Sequence, residues 1–574
     1  MNKKISFRIN NKQVFGNTGQ TVLDVAKENK IFIPTLCYHP DLPIKGNCRI
    51  CLVEIKGEKK LKTSCSTLIS EGMEVKTDSK KVRFSRNLNL ELIFSEHAEK
   101  CGNCINNIDC QLLALAKRYK LKITRFADRK NDRKTHKFGP AVEIDGSQCI
   151  DCQSCLQACE LLSGISHLKL SKKGYKQQIE PKLNRFKGKP SKDNGFACVY
   201  CGQCALHCPV GAAQEQSSFK QVRNLLDNPK IKVVAQIAPA VRVSIGEEFG
   251  LKAGEIVTGQ LFSALKLLGF EAVFDVNFGA DITTLVEAKE LIERIKEKKP
   301  LPMMTSCCPA WVRYIEVYRP DLIPLLTTSR SPQLHNAGLI KTYYAKLNPE
   351  KGRKIKTVSI MPCTAKKYES SRSELKYKGE RLIDEVLTTR ELAYMLHKKG
   401  IQLNKLKDQK PDNLLSSHSG AAAIYGGSGG VMESALRTAK YMLSPKSRFQ
   451  ALEFKAVRGL KGIKEASYRI ANKTLKVAVV SGLKNAQSLL DHLDNYHYIE
   501  VMACPGGCIG GGGQPIPTTE EIREKRRQAL YRIDSQKKLR QAHKNKEAIE
   551  MIKWLEKEKI DHKILHTKYT RKFS

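Results

Sequence analysis

Acid is what this sequence is short of: 58 Asp and Glu face 99 Lys and Arg, a formal charge of +41. Aromatic residues are scarce too, 7% of the chain with two tryptophans. A nucleic-acid surface would gather its charge beside aromatic platforms or in a recognisable binding module, and neither is present. No apolar run reaches the roughly 18 residues that a bilayer-spanning helix needs, which excludes that class of membrane protein. The opening MNKKISFRINNKQVFGNTGQ lacks the apolar core of a secretory signal. It is free of acid, as an organellar transit peptide would be, but ISFRINNKQVF alternates like an opening strand. A cytoplasmic chain is expected, its lysines spread over solvated helix faces. Such a surface is also suited to attracting an acidic protein partner.

Cysteine is not lacking. The chain has 20, all in groups, and without an export signal such spacing argues for metal rather than disulfides, because cytosolic thiols stay reduced. CIDCQSCLQAC and CVYCGQCALHCPV both read C-x2-C-x2-C-x3-C, the bacterial ferredoxin spacing in which three close cysteines hold one cube and the fourth reaches to the other. Cys149, Cys152, Cys155 and Cys208 therefore belong to one 4Fe-4S cube, and Cys198, Cys201, Cys204 and Cys159 to the second. Zinc ribbons use paired C-x2-C units, not tandem copies of this longer run.

Upstream, Cys37, Cys48, Cys51 and Cys65 follow a strand-like start with the spacing C-x10-C-x2-C-x13-C. They look like a 2Fe-2S site in a ferredoxin-like β-grasp domain, four-cysteine zinc being the plain alternative. His97, Cys101, Cys104 and Cys110 follow as H-x3-C-x2-C-x5-C, where neutral imidazole is a credible fourth ligand. This pair of modules resembles the N-terminal part of the large iron–sulfur subunit of respiratory complex I and of certain hydrogenases.

Five cysteines remain, in TSCCPAW (305 to 311), MPCTAKKYE (361 to 369) and EVMACPGGCIGGGGQP (500 to 515). A cube takes four thiolates, so one is spare. Cys504 and Cys508, four apart, could face one site from a helical turn. Gly506, Gly507 and Gly510 to Gly513 suit close backbone approach to something bulky, or simply a flexible loop. Adjacent Cys307 and Cys308 address different volumes, and the residues alone do not say which one ligates.

Together these segments resemble the three signature motifs of the iron-only (diiron) hydrogenases, and the whole chain is similar to the long monomeric clostridial type. The resemblance implies that Cys308, Cys363, Cys504 and Cys508 hold the catalytic 4Fe-4S cube. Cys508 would bridge to a two-iron subsite carrying CO, CN and a bridging dithiolate amine, the whole being the H-cluster. It makes Cys307 the free thiol that passes protons, a role open to a thiol whose pKa can be tuned. It matches Glu287, Glu290 and Thr327 to the family's proton pathway, ending near Arg294. It matches Lys366 to the lysine bonding a cyanide ligand, and Met361, Met502, Ala238, Pro239, Ser331, Pro332, Gln333 and Tyr425 to the cofactor pocket. Without it, VEAKELIERIKEKK reads as an amphipathic helix with its acids on a solvated face. Three departures stand out: Thr327 for a serine, Ala240 for a serine and Tyr425 for a phenylalanine.

The implied organisation is a 2Fe-2S domain at 1–80, a His/Cys3 4Fe-4S module at 81–125, a two-cube ferredoxin domain at 140–220 and a catalytic domain at 230–515. A charged helical tail follows at 516–574, resembling the family's small-subunit segment, and DRKNDRKTHKFGP serves as a polar connector. From about 230, strands such as KIKVVAQIAP and KTVSIMPC alternate with helices, predicting an α/β catalytic domain with parallel sheets. Expected cofactors are one 2Fe-2S cluster, three accessory 4Fe-4S clusters and the H-cluster. Expected partners are ferredoxin or a similar acidic carrier and maturation enzymes, around a monomer. A relay subunit of complex I or formate dehydrogenase has no use for the last five cysteines. An iron–sulfur assembly factor of the hydrogenase-like type lacks the accessory set and the Cys307 motif, and sensory hydrogenases commonly lose that thiol.

Overall fold

ISFRINNKQVF, read as one strand, is two. Lys4–Ile9 and Lys12–Asn17 pair antiparallel because Asn10 and Asn11 both take positive φ, 50° and 66°, the left-handed pair that closes a two-residue hairpin and that Asn tolerates. The computed structural model describes residues 4–106, 110–182, 197–349, 352–443, 453–470 and 473–572. The hairpin joins Glu74–Lys76, Leu52–Ile55 and Lys62–Thr63 in a five-stranded mixed sheet. Across it lies the helix Val22–Glu28, opened by a Thr21–Asp24 capping box. Phe7, Ile9, Val25, Val53 and Val75 form the core between them.

Helices Lys80–Ser95 and Gln111–Arg118 flank His97, Cys101, Cys104 and Cys110. DRKNDRKTHKFGP is more than a connector. Its last residues form the strand Thr135–Phe138, while Lys130 is buried against Glu96 and Asp151, and Arg133 pairs with Asp151. That strand, Val142–Asp145 and Ala213–Glu215 form a small sheet that brings the ends of the two-cube region together.

In the catalytic half, Ala272–Asp275, Ile231–Ile237, Lys354–Met361 and Glu385–Thr388 lie side by side in that order, all parallel. A second sheet sets Met303–Met304, Tyr498–Met502 and Lys473–Ser481 parallel, with Ile463–Ile470 antiparallel at its edge. Helix Val276–Lys296 runs between the sheets. Its Phe278 and Ile282 pack with Val234 and Phe274 of the first, and its Leu291 with Met303 and Tyr498 of the second. It is therefore no surface helix, and Glu287 is fully buried on it.

Strand ends at Ile237, Met361, Met304 and Met502 lead, within a few residues, to Ala238, Cys363, Cys307 and Cys504. The site thus lies where ligands lie in open α/β sheets, beyond the carboxyl ends of the strands. Residues 516–572 are helical, as expected, but not a tail. Leu530 packs with Ala240 and Ile509, Leu555 and Ile564 with Phe274, and Asn545 Nδ2 donates to buried Asp281 at 2.8 Å. No helix among the described residues is long and apolar enough to cross a membrane.

Candidate metal centres and active site

The N-terminal four cysteines converge. Cys48 N–H points at Cys37 Sγ (3.4 Å), and Cys51 and Cys65 sulfurs are 3.4 Å apart. Within each close pair the sulfurs are coupled: hydrogen bonds from the Cys37 and Cys65 thiols hold Cys48 and Cys51 below the ordinary thiol range, while Cys37 and Cys65 are themselves driven far up, so one thiolate per pair is favoured ahead of any metal. Cys104 neighbours Cys101 and Cys110, and Cys101 Sγ lies 3.5 Å from His97 O; the His97 Nε2 is buried without a hydrogen-bond partner. The ring hydrogen-bonds the backbone at Gln148. An imidazole fixed on one side and bare on the other fits a metal ligand.

The two ferredoxin runs repeat one backbone trick. Asp151 and Gln153 in the first, Tyr200 and Gly202 in the second, all take positive φ, between 57° and 71°, so each loop curls around its own cysteines. Burial first, then the charges of Cys149, Cys152 and Cys208, drive the Cys155 thiol far up. For Cys204, burial is followed by Cys201, Cys198 and Cys159. The fourth cysteine of each run thus neighbours the first three of the other. N–H groups of Asp151, Tyr200 and Ala213 point at Cys149, Cys198 and Cys208 sulfurs at 3.3–3.4 Å. Cys37 and Cys152 lie within electrostatic reach, as do Cys104 and Cys208.

Cys308 caps helix Pro309–Tyr318, whose first residue is the proline. Cys504, wholly buried, neighbours Cys363, Cys308 and Cys508. No helical turn joins Cys504 to Cys508. Gly507 N–H closes a turn on Cys504 O (3.0 Å), and Gly506 and Gly507 take φ of 77° and 87°, which side-chain-bearing residues rarely adopt. Cys307 points the other way, against Met502, Tyr425 and Ala280, where Cys508 also reaches. Met361 ends its strand two residues before Cys363 and packs with Ala238 at the edge of the first sheet's core.

Lys366, buried, donates to Cys307 O (3.0 Å) and Glu369 Oε2 (2.8 Å), leaving one of its three N–H groups for the pocket. Glu369 also accepts from Ser331 Oγ (2.9 Å) and Gln333 Nε2, and Pro332 begins the helix Pro332–Leu339 beside them. Ala238 N–H bonds Ile360 O and turns the chain through Pro239. Burial pushes Glu287 up to about 8. Tyr498 donates to its Oε2 at 2.8 Å, and its Oε1 is buried without a partner. Glu290 Oε2 accepts from Thr327 Oγ1 (2.7 Å) and Oε1 from Arg294 Nη2 (2.6 Å). Tyr425 OH bonds Thr284 Oγ1, which also bonds Ser434 (both 2.8 Å).

Sequence reasoning missed Glu369, Tyr498, Thr284 and Ser434. Glu369 had a signal, three residues after Lys366, where a helix pairs charges. Tyr498 had none.

Over 98% of its length the chain is 38% identical to Iron hydrogenase 1 of Clostridium pasteurianum, covering 99% of that protein. The chain belongs to the iron-only hydrogenase family. This hydrogenase is also 37% identical to the NADP-reducing hydrogenase subunit HndD of Solidesulfovibrio fructosivorans, with 99% of each covered. Residues 231–512 match the C-terminal domain of the iron-only hydrogenase large subunit, and 520–572 the iron hydrogenase small subunit. Residues 2–80 match a 2Fe-2S cluster binding domain, 86–125 the NADH-ubiquinone oxidoreductase-G iron–sulfur binding region and 145–212 a 4Fe-4S dicluster domain. A solved apo FeFe-hydrogenase variant from Chlamydomonas reinhardtii is similar at TM-score 0.54 and 36% identity, covering 62% of this chain and 99% of that one. As an oxidoreductase of this family the enzyme interconverts H2 with protons and electrons at an H-cluster.

Proposed function

We propose that this hydrogenase exchanges electrons with a ferredoxin or similar acidic carrier through one 2Fe-2S and three accessory 4Fe-4S clusters, held by the cysteine groups and His97 as assigned above. The contact between the second ferredoxin run and the catalytic loop carries this reading. A Cβ built on Gly512 would lie 2.6 Å from Gly202 Cα and 2.5 Å from Cys201 O, so glycines let the two cluster loops touch. Gln203 Nε2 donates to Gly510 O (3.0 Å) across the same junction. The 2Fe-2S and His97 groups both adjoin cysteines assigned to the first cube, Cys152 and Cys208, which supports two inlets merging into one line.

Cys308, Cys363, Cys504 and Cys508 would hold the catalytic cube, a bound metal offsetting the desolvation that raises the Cys363, Cys504 and Cys508 thiols, and Cys508 would adjoin a diiron subsite. When bound, the H-cluster supplies the irons at which H2 forms or splits and, on its bridging dithiolate, an amine base. Cys307 Sγ would pass protons to and from that base. Glu287, a carboxyl that burial keeps protonated, would release its own proton toward Glu290 as it takes one from Cys307, and Glu290, held by Thr327 and Arg294, would receive it. Lys366 offers its spare N–H to a cyanide ligand, and Met502, Tyr425, Met361, Ala238, Pro239, Ser331, Pro332 and Gln333 wall the pocket. The same reading divides the chain at 1–80, 81–125, 140–220, 230–515 and 516–574, a cytoplasmic monomer loaded by maturation enzymes.

Anaerobically matured protein should contain about twenty irons, give infrared bands of iron-bound CO and CN, and evolve H2 from reduced methyl viologen. Eight irons or fewer, or stoichiometric zinc, overturns the cluster assignment. Reduction by an acidic ferredoxin should slow steeply with salt; a rate flat up to physiological ionic strength removes the electrostatic partner.

A further inference from the structure

The proton line proposed above needs a group that trades protons with solvent, and Arg294 cannot be it. A guanidinium carries donors only and has no lone pair with which to take up a proton. Its Nε and Nη2 bond Glu290, Nη2 also bonds Leu326 O, and Nη1 is turned to the carbonyls of Pro300, Pro324 and Leu325. Arg294 positions Glu290 and does no more.

A different side chain reaches the same carboxylate. Thr328 Oγ1 donates to Glu290 Oε2 at 3.0 Å and lies 2.9 Å from His566 Nδ1. A hydroxyl has one hydrogen. With that hydrogen on Glu290, Thr328 must accept from Nδ1–H, so the three groups form a directed wire, imidazole to hydroxyl to carboxylate. The wire is held stiffly. Thr567 N–H bonds Thr328 O, Arg330 N–H bonds Leu565 O (both 2.8 Å), and Arg330 Nε bonds His566 O (2.9 Å). His566, half-buried, opens with His562, Glu290 and Thr328 onto a cleft of about 1460 Å³.

We propose that His566, through Thr328, is the group that exchanges protons between solvent and Glu290. The inference rests on the proton line given under the proposed function. For an inward step, Nδ1–H breaks as Thr328 Oγ1 takes that proton. The Thr328 O–H breaks as Glu290 Oε2 takes its proton, and Nε2 gains one from water in the cleft. One proton enters, no electron moves, and the imidazole ends as the other tautomer. Outward transfer reverses each bond. Imidazole suits the task because its ordinary pKa lies near neutrality. The charged or titratable groups facing it are Glu290 and Lys289 from the long helix, His562 and Asp561 from the helix before it, and Arg330.

The test uses matured holoenzyme whose CO and CN infrared bands match the parent's. His566→Gln keeps a hydrogen-bonding side chain but cannot shuttle protons, and should lower H2 evolution about 10- to 100-fold, less than a buried relay costs because water partly replaces a surface group. His566→Ala should fall similarly and be restored, saturably, by added imidazole. Thr328→Val, at an exposed position, should match His566→Gln, while Thr328→Ser restores the parent rate. A parent-like rate and pH profile in His566→Gln, or no imidazole rescue of His566→Ala, overturns the proposal. Glu290→Gln separates the two readings: if it is inactive while His566→Gln is parent-like, only the histidine falls. If Glu290→Gln is fully active, the proton line falls and takes the histidine with it.

Discussion

The accessory half and the catalytic half hold their cysteines in opposite ways. In the accessory half each site draws most of its ligands from one short stretch: in the two ferredoxin runs C-x2-C-x2-C supplies three ligands, and left-handed residues such as Asp151 and Tyr200 curl the backbone around them. In the catalytic half the five cysteines come from the loops after three different strands, and the neighbouring charges are buried in pairs. Arg242 with Asp275, Arg372 with Glu316 and Arg390 with Glu215 are all nearly solvent-free. Local sites should fail one at a time, whereas a composite site should fail as a whole.

The sharpest break in that comparison is Cys308→Ala, which should leave the catalytic cube one thiolate short and abolish H2 evolution while the accessory iron remains. Cys307→Ala should keep cube and infrared bands yet lose about 10²- to 10⁴-fold in turnover. Iron analysis with infrared spectroscopy separates them, and reversed phenotypes would exchange the two roles. Glu287→Gln should cost turnover on the same scale.

Glu287→Gln should also act on stability with a definite sign. The native carboxyl, raised from 4.5 to about 8, keeps its proton where the unfolded one has lost it, so stability falls as pH rises through that window. Apoprotein unfolding should therefore find Glu287→Gln equal to the parent near pH 4.5 and more stable, on the order of a few kcal/mol, by pH 8; an advantage only at low pH would contradict the burial argument.

On the accessory side, Cys65→Ala should remove the 2Fe-2S signal and about two irons but leave viologen-driven turnover within a few-fold. Loss of all iron would show that the local sites are not independent. The smallest effect belongs to the junction. Gly202→Ala puts a Cβ against Thr364 and Gly512 at φ of 71°, and should destabilise by about 1–3 kcal/mol and slow ferredoxin-driven more than viologen-driven turnover.

That contrast also explains what could be read beforehand. Cys149 to Cys159 announced their site because ligand spacing within one loop is visible in the chain. The strands at 231–237 and 354–361 were legible as apolar runs between helical stretches, and so was the parallel sheet. The hairpin at Asn10–Asn11 was missed because alternation continues across a two-residue turn. Buried Glu287 could be read only through family resemblance, since VEAKELIERIKEKK looks the same whether a sheet or solvent covers it. Tyr498, its partner, lies 211 residues away, and no local pattern encodes such a contact. Nor does composition reveal that many acids are drawn inside by arginines such as Arg437, fully buried between Glu433 and Asp534, which leaves an exterior richer in lysine than the total implies.

The docking of the last helices has a consequence for how the enzyme is made. Ribosomes deliver the N-terminal part of a chain first, at about 5–20 residues per second, so residues 231–512 emerge seconds before Asn545 can reach Asp281 or Leu530 can cover Ala240. During that interval the walls around Cys307 and Cys508 stand without their outer layer, and nascent protein offers a route inward that the finished fold closes. Chains stalled after residue 515 should react with a thiol-alkylating reagent at Cys307, while full-length chains resist it. Equal labelling of the two would mean that the pocket is closed before the last helices arrive.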